Sequence, residues 1–214
     1  SKTPQAYLDK LRGAGLAVDE AQILTPLITL EEYILERGYT SVFAVANAIV
    51  HRHLCERMPG VRFENAPGRT QLVAFAYDTE LTYEKLRSAA ALLNADPALD
   101  YVTTHGDACC PSEEGPVPDV GGLIALMRTT NGREPAQVFG KPSPSLLAPV
   151  LRRFAPEQIA VVGDRLYTDK AMADNAGVDF VCVLSGETTR ESLAAYRGTA
   201  PSLVLETLGD ISHV

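Results

Sequence analysis

The chain alternates between short apolar runs and longer segments in which apolar residues recur at helical spacing. The runs SVFAVA (41–46) and LVAFAY (72–77) have the length of strands, whereas TYEKLRSAAALLNA (82–95) repeats its apolar residues every three or four positions. Strands that alternate with helices of about ten residues predict β–α units and a largely parallel sheet. The predicted strands are 41–46, 72–77, 100–105, 136–140, 159–164 and 179–185, and the predicted helices are 48–58, 82–95, 121–130, 144–154 and 167–177.

Two segments interrupt this alternation. Residues 106–122 are rich in glycine, proline and acidic residues, which is typical of a hinge or a surface loop. A weaker interruption lies near residues 23–32. The two interruptions predict a domain at 28–119 that is inserted between two parts of another domain, 1–27 and 120–214.

Composition narrows the classes of partner. A net charge of −8 argues against nucleic acid and anionic membranes, which favour a basic surface. No apolar run approaches the ~20 residues that a membrane-spanning helix needs. The four cysteines, Cys55, Cys109, Cys110 and Cys182, lack the spacing of a zinc site, so reduced thiols in a cytoplasmic protein are expected.

Unusual polar residues follow two of the predicted strands. Lys141 comes directly after 136–140, and Asp164 ends the strand at 159–164. If these strands are parallel neighbours, both side chains lie at the same edge, where α/β sheets bind ligands. Lysine can neutralise phosphate oxygens, and aspartate is a hard oxygen ligand for Mg²⁺. Asp169 follows at a helix start, where a carboxylate is also favoured for purely structural reasons.

Several segments resemble one enzyme family. GKPSP (140–144), followed by VVGDRLYTDKAMADNAG (161–177), resembles the third and fourth motifs of the haloacid dehalogenase (HAD) superfamily. The likeness is to its large-capped branch of p-nitrophenylphosphatases and phosphoglycolate-phosphatase-like sugar phosphatases. Residues 3–26 resemble the segment after the second motif, and residues 76–93 and 101–123 resemble the cap domain. The resemblance therefore covers most of the chain.

The resemblance implies a Rossmann-like parallel core sheet with an inserted α/β cap domain, and Mg²⁺-dependent hydrolysis of small phosphate monoesters. Lys141 would then stabilise the phosphate and the charge of the nucleophile. Asp164 would bind Mg²⁺, and Asp169 would support the water shell of the metal. On the cap loop at 107–111, Asp107 and Cys110 would contact the substrate. The implied partner is a small phosphorylated metabolite, and relatives of this kind commonly form homodimers through the cap.

One motif of the family is absent from the sequence. The nucleophile and the acid–base residue of the family lie in an Asp-x-Asp-Gly motif, which occurs nowhere in the 214 residues. The opening residues SKTPQAY resemble those just past the second motif. The expectation is therefore that the nucleophile lies upstream, and that these residues alone are catalytically incomplete.

Three other interpretations compete with an upstream nucleophile. Asp78 and Glu80, in LVAFAYDTELT, imitate the missing motif with Thr103 or Thr104 as a second-motif hydroxyl, but Glu80 is one methylene too long. Asp78 would otherwise be a turn residue. The chain could instead be a non-catalytic phosphate-binding or scaffold relative. A response-regulator-like receiver ranks last, because it does not explain the cap-like insert.

Histidines offer further candidates. His51 and His53 accompany Cys55 in one predicted helix, but positions two apart point to different sides, so a solvated or partly buried helix face explains them better than a metal cluster. His105 lies near the cap loop and is a further candidate for substrate contact.

Overall fold

The structure is a computed structural model that describes residues 2–110 and 112–213. It divides into two compact units, Ser1–Phe139 and Gly140–Val214, called unit 1 and unit 2 below. The predicted division at residues 27 and 119 differs from this boundary and stays a prediction. Pro111, the last residue of the predicted cap loop, lies outside the described residues.

Helices and strands alternate along both units. The helices are α1 (Pro4–Gly13), α2 (Pro26–Glu36), α3 (Ala48–Arg57), α4 (Tyr83–Ala95), α5 (Val120–Asn131), α6 (Ala148–Leu151), α7 (Ala171–Ala176) and α8 (Arg190–Ala195). The strands are β1 (Ser41–Val45), β2 (Arg62–Phe63), β3 (Leu72–Phe75), β4 (Asp100–Thr103), β5 (Cys109–Cys110), β6 (Val117–Pro118), β7 (Gln137–Val138), β8 (Ala160–Gly163), β9 (Asp179–Val183) and β10 (Leu203–Leu205). Short 3₁₀ segments occupy Glu20–Gln22, Pro144–Leu147, Pro156–Gln158 and Leu208–His213, and a π-helical turn occupies Leu166–Lys170.

Unit 1 is built on a five-stranded parallel sheet in the order β2-β1-β3-β4-β7. The central strand β3 is buried on both faces, because helices cover each side. Leu72 and Ala74 join one buried cluster with residues of α2 and α3. Val73 and Phe75 point to the opposite face and join a second cluster with residues of α4 and α5. The period of two in β3 thus fills two hydrophobic layers.

Side-chain caps fix where the helices of unit 1 begin. Thr3 and Thr25 each precede a proline at the first helical position, and each hydroxyl accepts from a backbone N–H of the first turn. Asn47 starts α3, where its Oδ1 accepts from the backbone nitrogen of Val50 at 2.9 Å. These caps satisfy donors that have no partner inside the helix.

Unit 2 contains a three-stranded parallel sheet in the order β10-β9-β8. Its buried cluster consists of Ala173 from α7 together with Phe180 and Cys182 from β9. Because the strands are parallel, the carboxyl ends of β8 and β9 open onto the same edge, where the segments after Gly163 and Val183 lie.

The predicted α/β class with a parallel sheet is confirmed. The condition set for Lys141 and Asp164, that they follow parallel neighbouring strands, is not met among the described residues: β7 pairs with β4 at the edge of the unit 1 sheet, whereas β8 pairs with β9. The segment 106–122 is also more ordered than a hinge, since it contains the antiparallel pair β5–β6 and the start of α5. Among the described residues, no helix is long and apolar enough to cross a membrane.

Candidate functional site

The turn after β8 folds back so that Asp169 lies against the end of its own strand. A Cβ at Gly163 would lie 2.5 Å from the Cβ of Asp169, which real side chains do not tolerate. The backbone nitrogen of Arg165 donates to Oδ2 of Asp169 at 3.1 Å. Glycine at the strand end thus permits the π-helical turn to bring a carboxylate to the carboxyl edge of the sheet.

The Asp169 carboxylate is buried and paired with a lysine. Nζ of Lys141 donates to Oδ1 of Asp169 at 2.6 Å, and only 8 % of the Asp169 side chain is exposed. A carboxylate at this depth requires a charged or hydrogen-bonded partner to offset its lost hydration. The Lys141 side chain is 41 % exposed, so its ammonium can also meet a ligand from solvent.

Asp164 is held by the segment that follows β9. The backbone nitrogen of Glu187 donates to Oδ2 of Asp164 at 2.8 Å, and Oγ1 of Thr188 donates to the Asp164 carbonyl at 2.6 Å. A Cβ at Gly186 would overlap the Asp164 carboxylate, so this close approach depends on glycine. Residues 186–188 were missed in the sequence reading, although SGETT directly follows an apolar strand.

The interior beside Asp164 contains a thiol that stays protonated. Burial raises the pKa of Cys182, and the Asp164 carboxylate raises that pKa further. The thiol therefore remains neutral near pH 7 and adds no negative charge to the site. Another polar atom in this region, the Thr168 hydroxyl, is buried and has no hydrogen-bond partner in the described part of the chain.

The donor atoms of this site fit Mg²⁺. Asp164 and Asp169 provide hard carboxylate oxygens, and Mg²⁺ usually binds one or two carboxylates while keeping several waters. The overlap that a Cβ at Gly186 would create shows that the backbone makes room for the Asp164 carboxylate at this place. Neither residue belongs to a group of three metal-ligand side chains among the described residues. Two carboxylates are nevertheless enough for this metal.

The two residues of the predicted cap loop lie in unit 1. Asp107 follows β4, and its carbonyl accepts from the backbone nitrogen of Gly121 at 2.8 Å. Cys110 ends β5 opposite Val117 and is partly exposed. Asp107 also forms a cluster with His105 and Asp119, in which one ligand atom from each residue lies within 4.8 Å of the others. Asp119 carried no signal in the sequence reading.

Asp78 has the environment of a structural residue. Its side chain is fully buried, Oδ2 accepts from Nζ of Lys85 at 2.6 Å, and Oδ1 accepts from the backbone nitrogen of Glu80 at 2.8 Å. The Glu80 carboxylate accepts from the backbone nitrogen of Ala48 at 2.9 Å, at the start of α3. This geometry favours the turn interpretation over a nucleophile, since substrate cannot reach a carboxylate enclosed in this way.

The histidines of α3 have separate partners. Nε2 of His53 lies 2.7 Å from Oε1 of Glu31, a buried carboxylate that also accepts from Arg57 at 3.3 Å. Nδ1 of His51 lies 3.7 Å from Sγ of Cys55, one turn along the exposed face. The two histidines thus belong to different surroundings, and the interpretation of this helix face stays a prediction.

Comparison with known proteins places this arrangement in a family. The family model described as HAD-hydrolase-like matches residues 138–211, which include Lys141, Asp164 and Asp169. The chain is similar to a 4-nitrophenylphosphatase from Thermotoga maritima, with 34 % identity and a TM-score of 0.89 over 100 % of this chain and 80 % of that one. The chain belongs to the haloacid dehalogenase-like hydrolases. The predicted family and its phosphatase type are confirmed.

Two further relatives agree with this membership. A p-nitrophenyl phosphatase from Archaeoglobus fulgidus superimposes with a TM-score of 0.90 at 27 % identity, over 100 % of this chain and 82 % of that one. An acid sugar phosphatase from Staphylococcus aureus is 28 % identical over 196 residues, which cover 90 % of this chain and 73 % of the relative. Both lie in the branch of the HAD family that the sequence motifs indicate.

Proposed function

We propose that the protein hydrolyses small phosphate monoesters in a reaction that requires Mg²⁺ and passes through an aspartyl-phosphate. The proposal places the nucleophilic aspartate outside residues 1–214, because the Asp-x-Asp-Gly motif is absent from them. The observation that carries the proposal is the ion pair between Lys141 and Asp169 at 2.6 Å, with Asp169 in the π-helical turn that follows Asp164 along the chain.

Lys141 is suited to bind and orient the phosphate group. Its ammonium is a point charge with three donors, of which the contact with Asp169 uses one. The pairing keeps the charge at the edge of the sheet, and the exposed part of the side chain leaves donors for phosphate oxygens. Negative charge on these oxygens is neutralised at a fixed position, so little reorganisation is needed during reaction.

Asp164 and Asp169 are suited to hold Mg²⁺ and its water shell. When bound, the metal would neutralise further charge on the phosphate group. Asp164 is fixed by the Glu187 N–H, while Asp169 is fixed by both Lys141 and the Arg165 N–H. We assign direct binding to Asp164, because both oxygens of Asp169 already accept hydrogen bonds, and we assign the water shell to Asp169.

The substrate is proposed to be the phosphate ester of a small polar metabolite. This class is supported by the name of the acid sugar phosphatase relative and by the polar loop after β4. Contact between the substrate and Asp107 or Cys110 stays a prediction from the resemblance. A cytoplasmic location is proposed on the observation that all four cysteines are free thiols. A homodimer remains a prediction from the resemblance alone.

The test is hydrolysis of p-nitrophenyl phosphate and of a panel of sugar phosphates, with and without Mg²⁺. Both the 214-residue chain and a longer natural polypeptide that contains it are assayed. We expect turnover in the longer polypeptide, a requirement for Mg²⁺, and a loss of about 100-fold or more in Asp164→Asn. Glu157→Gln, an exposed acid elsewhere in unit 2, is the matched control. Phosphate binding without turnover in either protein would contradict the proposal and favour a non-catalytic relative.

A further inference from the structure

A second group of ligand-type side chains lies at the carboxyl edge of the unit 1 sheet. His105 and Asp107 follow β4, and Asp119 immediately precedes α5. Nε2 of His105 lies 2.8 Å from Oδ1 of Asp119. One ligand atom from each of the three residues lies within 4.8 Å of the other two. The carboxyl edge of a parallel sheet is the usual place for a ligand.

Neighbouring groups hold the imidazole and one carboxylate in place. Nδ1 of His105 forms a hydrogen bond of 2.9 Å with the hydroxyl of Thr104, which orients the ring so that Nε2 faces Asp119. Metal-bound histidines characteristically have their second nitrogen fixed by such a partner. Oδ1 of Asp119 accepts from the backbone nitrogen of Val120 at 2.7 Å, and the residue is 9 % exposed.

A close backbone approach fixes the third residue. A Cβ at Gly121 would lie 2.5 Å from the carbonyl oxygen of Gly106 and 2.8 Å from that of Asp107. The start of α5 therefore packs directly on the segment that carries Asp107, which is joined to it by the Gly121 hydrogen bond. Asp107 is held near Asp119 although the two are separated by the β5–β6 hairpin.

The charge of the cluster favours a cation. Asp119 pairs with His105, and in the described ranges neither Asp107 nor Asp119 forms an ion pair with a lysine or an arginine. Two carboxylates and one imidazole therefore share a small, partly buried volume. Adjacent carboxylates repel each other unless a positive group lies between them.

A catalytic relay explains the cluster less well than a metal does. Thr104, His105 and Asp119 form a chain of hydroxyl, imidazole and carboxylate, which resembles the order of groups that activates a nucleophile. The Thr104 residue is only 3 % exposed, however, so its hydroxyl has no route to a substrate. The accessible atoms of the cluster are instead those of His105 and Asp107, which suit a ligand bound from solvent.

We propose that His105, Asp107 and Asp119 bind one Zn²⁺ or a similar borderline divalent metal ion. One imidazole nitrogen with two carboxylate oxygens is a donor set that Zn²⁺ accepts, whereas Mg²⁺ prefers oxygen alone. The metal takes the place of the hydrogen bond between His105 and Asp119 and links the end of β4 to the start of α5. It thereby fixes the base of the β5–β6 hairpin, and the inference does not depend on the proposed phosphatase activity.

The test is a calorimetric titration of the 214-residue chain with Zn²⁺. Millimolar Mg²⁺ is present throughout, so that a site with oxygen ligands alone is already occupied by Mg²⁺. We expect one Zn²⁺ per chain, and affinity reduced about tenfold or more in His105→Gln and in Asp107→Asn. X-ray absorption of the zinc-loaded chain should show nitrogen and oxygen ligands without sulfur. Asp107 is partly exposed and caps no helix, so Asp107→Asn should keep the fold, which circular dichroism checks.

The control removes another pair of side chains that could bind Zn²⁺. His51 and Cys55 lie one turn apart on α3, with Nδ1 and Sγ separated by 3.7 Å. The double variant His51→Ala/Cys55→Ser should bind Zn²⁺ as tightly as the unaltered chain. Unchanged affinity in His105→Gln, loss of binding in the α3 variant, or sulfur among the metal ligands would each overturn the proposal.

Discussion

The two units place different chemistry at the same position of a parallel sheet. At the carboxyl edge of unit 2, a lysine neutralises one of two carboxylates, and the proposed metal ligands are oxygens alone. At the carboxyl edge of unit 1, an imidazole joins two carboxylates that have no lysine or arginine partner among the described residues. In both proposals the edge of the sheet sets where the ligand binds, and the few side chains after each strand set which ligand it is.

Glycines allow a close approach of the backbone at the carboxyl edges of both sheets. Gly163 and Gly186 let the backbone approach the carboxylates of unit 2, while Gly121 lets α5 approach the loop after β4 in unit 1. A Cβ at any of them would meet another group at a distance that requires movement. Each edge thus depends on close backbone packing as well as on its polar side chains.

The largest effect is expected from removing the positive charge of unit 2. Lys141→Met should lower Mg²⁺-dependent phosphatase turnover about 100-fold or more, because a fixed charge beside the phosphate group is lost. Lys141→Arg should retain more activity than Lys141→Met, since it keeps the charge. Steady-state kinetics of the active polypeptide provide the measurement, and Lys2→Met is a matched surface control. Full activity in Lys141→Met would contradict the proposal that a lysine at the edge of unit 2 binds the phosphate group.

Alanine substitutions at the glycines test whether each edge is packed independently. Gly186→Ala should displace Asp164, and Gly121→Ala should displace Asp107, each at a cost of about 1–3 kcal/mol in the free energy of unfolding. Gly186→Ala should weaken Mg²⁺ binding, and Gly121→Ala should weaken Zn²⁺ binding. Denaturant unfolding and calorimetry measure these effects.

The matched control for both glycine variants is Gly60→Ala, because a Cβ there meets nothing within 4 Å. It should leave stability and both metal affinities nearly unchanged. If Gly186→Ala or Gly121→Ala behaves like Gly60→Ala, the close backbone approach at that glycine is not required for the neighbouring metal site.

A smaller effect is expected at alkaline pH from Tyr101 in β4. Burial raises the pKa of Tyr101 to about 12, and the charge of Glu134 adds to the rise. The unfolded chain, with a tyrosine pKa near 10, loses this proton first. The neutral hydroxyl therefore gives its full contribution to the free energy of unfolding below pH 10. This contribution, about 1–2 kcal/mol, is lost as the pH rises toward 12.

Urea unfolding between pH 9 and 11.5 measures this loss. In Tyr101→Phe the part of the loss due to this group should disappear, whereas Tyr83→Phe, at an exposed position, should behave like the unaltered chain. If the free energy of unfolding falls as steeply with pH in Tyr101→Phe as in the unaltered chain, another group is responsible for the loss.

The smallest effect concerns the thiol of unit 2. Because burial and Asp164 raise the pKa of Cys182, it should react with iodoacetamide at pH 8 far more slowly than the exposed Cys55 and Cys109. Mass spectrometry of digested protein compares the rates. Rapid labelling of Cys182 in folded protein would show that the interior beside Asp164 opens readily.

Local patterns predicted the elements that dominate the fold. The apolar run at 72–77 predicted β3, and Lys141 and Asp164 became candidates because they follow predicted strands. The pairing between strands could not be predicted in this way. Nothing in residues 136–140 shows that β7 pairs with β4 rather than with β8. Such pairing depends on contacts between distant residues, which local periodicity does not encode.

Long-range polar contacts explain most of what the sequence did not reveal. Asp119 and His105 are fourteen positions apart and meet only because the β5–β6 hairpin returns the chain. Glu31 on α2 and His53 on α3 are also distant in sequence and meet only in the folded chain. The proline-rich start of the segment 144–154 also resembled one helix, whereas the structure has a 3₁₀ turn followed by the short α6.

The most direct test of the account is a Mg²⁺ titration of the ¹⁵N-labelled 214-residue chain, in inorganic phosphate, followed by amide NMR shifts. The account predicts that the amides of Asp164, Asp169 and Glu187 shift, and that Asp164→Asn abolishes these shifts. Added Zn²⁺ should move a separate set of amides around His105 and Asp119. Mg²⁺-induced shifts confined to the unit 1 edge, or unchanged in Asp164→Asn, would contradict the assignment of the phosphate and metal site to unit 2.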